Sequence, residues 1–254
     1  MQNIDPVYFI QPIIVILFSI GLVVLWHFKR SFTRAVLFYS FLAYAGAIAI
    51  KVVFQNFTFV AFQAHFANNP WALGLYFGVQ TMLLEVGGAS LVAIWAVHRG
   101  KLECKDAESY GLGLAMWENA VLLGFVGLVN LIVIYVSLAI GGPTGQKFYA
   151  SLIQARPDLF YPGSQALTLV AYGLLERVTS LLFHFCWGYL CLIAAYLHKR
   201  QYFLLALPMG LLDFFVPFEP ALTLPVFEIT LFILGLAALG LTLLATRQHA
   251  LENA

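Results

Sequence analysis

The chain has 254 residues, is 62% hydrophobic, holds only 10% charged residues and has a formal net charge of +1. Soluble domains carry roughly 25% charged residues, so this composition, with a mean hydropathy of +0.89, excludes a soluble enzyme and reads as an integral membrane protein. The near-zero charge gives no electrostatic case for nucleic acid. The three cysteines have no spacing of a disulfide framework, zinc site or haem attachment motif.

The opening MQNIDP lacks the basic region of a cleavable signal, so the first span is expected to be retained. A membrane helix needs about 20 mostly apolar residues. Seven segments meet or approach that: about 7–26, 35–54, 72–97, 111–138, 167–197, 202–218 and 225–246. The expected fold is all-α, a polytopic transmembrane helix bundle of about seven spans forming a single transmembrane domain over residues 1–254.

Between spans two and three, residues 55–71 are aromatic and uncharged, which suits a segment lying at the bilayer surface. Residues 141–166 are rich in turn formers and read as a loop, or as a cap over a cavity. The fifth span is long enough to begin as a separate interfacial turn. The sixth, YFLLALPMGLLDFFVPF, is short and carries Pro208 and Gly210, which predicts a bent or broken helix. Cys186 and Cys191 lie inside the fifth span as small hydrophobes, and Cys104 falls in a polar loop.

Basic residues set the orientation. One group of connections holds Lys29, Arg30, Arg34, Arg99, Lys101, Lys105, Lys199, Arg200 and Arg247. The opposite side holds Lys147 and Arg156, with Lys51 near the end of span two. Positive residues favour the cytoplasm, so the N-terminus is expected outside and the C-terminus inside. An odd number of spans agrees with that. The expected location is the cytoplasmic membrane of a prokaryote.

Ionisable residues in hydrocarbon need a reason. Away from span ends they are Glu85, Glu118, Glu176, Arg177, His184 and Asp213. At about 1.5 Å per residue, Glu85, Glu118, His184 and Asp213 share roughly one depth on four consecutive spans. Within GLLERVTSLLFHFCWGYL, Arg177 and His184 are seven residues apart, about 20° short of two turns, and line one face. Glu176, Ser180 and His184 form an i, i+4, i+8 row that must face the bundle interior. Singly, each of these reads as helix glue, Arg177 pairing with Glu176, Glu85, Glu118 or Asp213. Together at one level they read as a polar site.

At these residues the sequence resembles the YhfC-like branch of the glutamic-type intramembrane proteases, related to the CAAX-processing membrane proteases. The order of motifs is kept: Glu85, then GLGLAMWE at 111–118, ERVTSLLFH at 176–184 and MGLLD at 209–213. The likeness covers residues 75–215. The departures are Leu114 and Met209 where the family pattern has His, Ala115 where it has Gly, and Glu85 without a paired Glu and Arg. The resemblance implies an intramembrane peptidase scaffold, with Glu85, Glu118 and His184 catalytic if it is active and Glu176, Arg177 and Asp213 supporting them.

Amide hydrolysis needs a base for water, an acid for the leaving amine and donors for the oxyanion. Leu114 and Met209 supply none of these, so the machinery reads as reduced. The expected function is an accessory or scaffold subunit of a membrane assembly. The alternatives are an active glutamic-type protease, or proton or small-solute transport through the mid-membrane carboxylates. No cofactor is expected and a divalent metal stays open. The expected partners are the lipid bilayer, and other membrane subunits or a membrane-embedded peptide, with no nucleic acid.

Overall fold

The computed structural model describes residues 3–30 and 32–252, with side chains through Arg247. Among these residues the chain forms helices and no strand. Six helices are long and apolar enough to cross a membrane: α1 (Pro6–Lys29), α2 (Arg34–Phe66), α3 (Pro70–His98), α4 (Cys104–Ile140), α6 (Gly163–Leu197) and α8 (Leu224–Arg247). Two shorter helices are α5 (Gly142–Ala155) and α7 (Arg200–Ala206).

Local chemistry sets the helix starts. The Thr33 hydroxyl accepts from Val36 N at 3.2 Å to cap α2. The Asn69 side chain accepts from Ala72 N at 3.1 Å to cap α3, with Pro70 following at the first helical position. Between Gln55 and Phe66 no Gly or Pro interrupts the chain, so α2 runs on to Phe66. Residues 55–66 therefore continue the second helix; the separate surface segment expected there does not form.

The sixth expected span is broken. After α7 the backbone tightens into 3₁₀ turns over Leu207–Phe214 and Val216–Ala221. Pro208, Pro217 and Pro220 each remove a backbone donor and prevent an α-helix from continuing. The segment still travels the length of the bundle. Arg200 lies with His98 and His198 at the basic end, while Phe214 and Phe218 meet Trp71 at the other, with ring centroids 5.8 and 5.1 Å apart. Among the described residues there are thus six candidate spanning helices, with this irregular segment packed among them.

Helix α6 is the axis of the bundle. Of its most apolar stretch 67% is buried, against 11–44% in the other five long helices. The Leu, Val and Phe side chains of the outer helices face outward instead, as a lipid-exposed belt requires. Residues 141–166 are not a plain loop: α5 and the Pro157–Phe160 turn pack over a second apolar cluster of Ile4, Tyr8, Leu138, Leu159, Ala166 and Val170. The Tyr8 hydroxyl donates to the Asp158 carbonyl and ties this cap to the start of α1.

Two helices widen to π-helical turns in mid-course, α3 over Thr81–Val86 and α4 over Trp117–Val126. Such turns concentrate at functional sites because they re-aim a side chain without ending the helix. Here they contain Glu85 and Glu118.

Candidate functional site

Where α2, α3, α4, α6 and the irregular segment meet, they enclose a cavity of about 190 Å³ lined by Glu85, Glu118, Glu176, Arg177, His184 and Asp213. All six residues singled out in the sequence therefore lie around one space. Burial places His184 and Glu85 deepest, at 4% and 8% exposed.

His184 sits between the two π-helical glutamates. Its Nε2 lies 2.7 Å from Glu118 Oε2 and 3.5 Å from Glu85 Oε2. Both are ion-pair distances, although neither oxygen is aligned with the ring nitrogen as a hydrogen bond. On the opposite edge Nδ1 lies 3.0 Å from the Ser180 carbonyl, so this nitrogen carries a proton and donates. The Ser180 hydroxyl donates to Glu118 Oε2 at 2.9 Å. Trp187 and Tyr44 pack on the imidazole, with ring centroids 4.1 and 5.9 Å away, and hold its plane. The row Ser180–His184 read from the sequence thus faces inward as expected, whereas Glu176, its side chain 46% exposed, stands at the rim and pairs with Arg177.

Arg177 does not neutralise the whole level. Its guanidinium reaches Glu118 at 3.4 Å and Glu176, and no further carboxylate among the described residues. The other half is held by a residue that the sequence reading placed at a span end, Lys51. Because α2 runs to Phe66, Lys51 is in mid-helix. Its ammonium donates to Glu85 Oε1 at 2.7 Å, Thr81 Oγ1 at 2.7 Å and Asp213 Oδ2 at 2.8 Å. Three donors on one ammonium meet three acceptors, so Lys51 is fully used. The available signal was a lysine inside the apolar run AGAIAIKVVF; a span boundary placed too early made it look like a snorkelling residue.

Asp213 reaches this cluster because the irregular segment lies unusually close to α3. A Cβ on Gly210 would lie 2.6 Å from Met82 Cα, and one on Gly78 2.9 Å from Phe214 Cβ, so only glycine permits the approach.

A family model for the YhfC intramembrane metalloprotease matches residues 14–233. The chain belongs to that family. No curated protein and no solved structure matches it. Membership agrees with the resemblance read from residues 75–215 and extends it to most of the first helix and the first part of the last.

The family description implies a metal, and the donors in this chain do not fit one. Among the described residues no group of three or more His, Cys, Asp or Glu is arranged to hold a metal ion. Two ligands on one zinc, each at about 2.0–2.1 Å, stand about 3.3 Å apart in tetrahedral geometry. The 2.7 Å between His184 and Glu118 leaves room for a shared proton. Leu114 and Met209, where the resemblance implies imidazoles, are buried at 2% and 7% exposed. Each precedes its carboxylate, Glu118 or Asp213, by one helical turn and offers no ligand. Treating the purified protein with a strong chelator, or adding micromolar zinc, is therefore expected to leave its thermal midpoint in detergent unchanged. A zinc-dependent rise of several degrees, following the law for a ligand that binds only the native state, would contradict this account of the donor set.

Proposed function

We propose that this chain is a catalytically reduced member of its family, an accessory or scaffold subunit that holds a membrane-embedded segment of a partner protein without cutting it. The observation that carries the reading is the ammonium of Lys51 locked between Glu85, Asp213 and Thr81. A general base has to exchange protons with water and reach the scissile carbonyl. Glu85 is held by the Lys51 ammonium instead, and Glu118 is shared by Arg177, Ser180 and His184. The buried charges stabilise one another, which makes the cluster a structural keystone and a poor acid–base centre. The lost imidazoles at Leu114 and Met209 support the same reading.

The test is biochemical. Purified full-length protein, reconstituted with a panel of membrane-embedded peptides, should yield no cleavage products with or without zinc. Partner chains should copurify from native membranes in mild detergent. A strictly monomeric preparation without partners would reject the accessory role.

A second reading, hydrolysis by the Glu118–His184 pair, is favoured by the cavity beside them, about 190 Å³ and large enough for water and one peptide group. It requires peptide cleavage that disappears in Glu118→Gln and in His184→Ala. Cleavage that survives both substitutions would reject it.

A further inference from the structure

A groove at the basic end of the bundle takes no part in the ionic cluster. It lies between α3, the end of α6 and α7, and has a volume of about 540 Å³. Gly87, Leu91, Ile94 and His98 follow one face of α3 along its length. Ala194 of α6 and Phe203 of α7 form the opposing wall. Leu91 and Ile94 are 69% and 42% exposed, so the groove opens sideways toward lipid. From Gly87 to His98 the α3 face rises about 16 Å, at about 1.5 Å per residue. That is the depth of one leaflet's hydrocarbon, half of a core about 30 Å thick.

The mouth of the groove has the opposite character. His98, His198 and Arg200 gather there, the two imidazoles with ring centroids 6.3 Å apart. His98 Nδ1 donates to the Ile94 carbonyl at 3.2 Å, which leaves Nε2 for another partner. The exposed Arg200 guanidinium makes no hydrogen bond or ion pair with any described residue. Among the described residues no carboxylate lines the groove.

An apolar slot one leaflet deep, with basic groups and no acid at its mouth, complements one kind of molecule. A partner helix has to span both leaflets, whereas the groove ends at Gly87. A zwitterionic lipid brings its own cation against Arg200. A soluble anion leaves the slot without a chain. An anionic phospholipid satisfies both parts, since basic pockets between membrane helices suit acidic headgroups.

We infer that this groove binds one anionic phospholipid from the leaflet at the basic end. Its phosphate rests on Arg200, His98 and His198, and one acyl chain lies along α3 between Leu91 and Phe203. The site shares no residue with the ionic cluster and does not depend on the proposed holding role. Bound there, the lipid bridges α3 to α7, which leads into the irregular segment carrying Asp213.

The test uses the full chain in phosphatidylcholine vesicles containing photoreactive phosphatidylglycerol, or photoreactive phosphatidylcholine with the same acyl chains. Wild type is expected to be labelled by the anionic probe at least about tenfold more strongly. The adducts should map to residues 87–98 and 194–203. Arg200→Gln should lower the preference about fivefold, and Arg200→Lys should keep most of it. Arg30→Gln, at the same end but outside the groove, should leave it unchanged. Ala194→Trp, which fills the slot, should remove labelling there by both lipids. The two arginines are exposed, so the inference stays testable should Ala194→Trp fail to fold. Equal labelling by the two probes, adducts elsewhere, or an Arg200→Gln protein labelled like wild type would each overturn it. An equal loss in Arg30→Gln would also overturn it and indicate general surface charge instead. Displacement of the probe by millimolar glycerol phosphate would do the same, because the headgroup alone would then suffice.

Discussion

Lys51→Met is expected to destabilise the protein by about 3 kcal/mol or more, the range seen when one partner of a buried ion pair is removed. The reason is what stays behind. Glu85, 8% exposed, and Asp213, with its side chain 33% exposed, would face each other across Thr81 without the ammonium between them, leaving Glu85 only the more distant His184. Asp213 is wet enough to recover part of its solvation, which places the effect toward the lower end of that range. The effect belongs to the unpaired charge and not to the lost methylene packing, because methionine keeps most of the stem. Adding Glu85→Gln and Asp213→Asn to the Lys51→Met protein should therefore restore most of the lost stability. Lys147→Met, at an exposed lysine of α5, should change it by less than about 0.5 kcal/mol. Thermal unfolding in detergent measures all four. A Lys51→Met protein as stable as wild type would remove the central claim made for this residue.

The second large effect is expected at the contact between α4 and α6, where Gly188→Val should destabilise by about 2–3 kcal/mol or prevent assembly. A Cβ at Gly188 would lie 2.7 Å from both Gly111 Cα and Leu114 Cδ1. Neither atom can retreat: Gly111 is backbone, and Leu114 is buried in the main core. Small residues at such a crossing allow two helices to approach at backbone distance, and in lipid that packing is the main source of association energy. The crossing also sets the depth of Glu118 against Ser180 and His184, so a forced separation should open the ionic cluster as well. Gly46 provides the contrast, since a Cβ there meets nothing within 4 Å. Gly46→Ala should be neutral or slightly stabilising, given alanine's better helix propensity. If Gly188→Val and Gly46→Ala unfold at the same temperature, the close crossing is not a source of stability.

Much of this was legible in the chain. Apolar runs located every long helix, and Pro208 and Gly210 announced the broken passage. The ERVTSLLFH spacing put Arg177 and His184 on an inward face, because ionisable groups in an apolar helix have no tolerable alternative. Other features were hidden for physical reasons. Residues 55–66 lack any helix breaker, so the end of α2 depended on Asn69 and Pro70, beyond the reach of hydropathy. That error moved Lys51 out of the site on paper. The π-helical turns have no sequence signature comparable to a cap or a turn, yet they aim Glu85 and Glu118. That His98 and His198, far apart in the chain, meet at the mouth of one groove is a tertiary fact.

The irregular passage between Arg200 and Ala221 also bears on how the bundle is held together. A segment with prolines, an aspartate and few α-helical hydrogen bonds leaves backbone groups bare in hydrocarbon, where only protein neighbours can satisfy them. Such a stretch is not stable in the bilayer by itself. It relies on α2 and α3 to offer Lys51, Thr81 and the glycine-lined groove at Gly74 and Gly78. The irregular passage therefore depends on α2 and α3 for its place in the bundle, with Lys51 as the latch that holds Asp213.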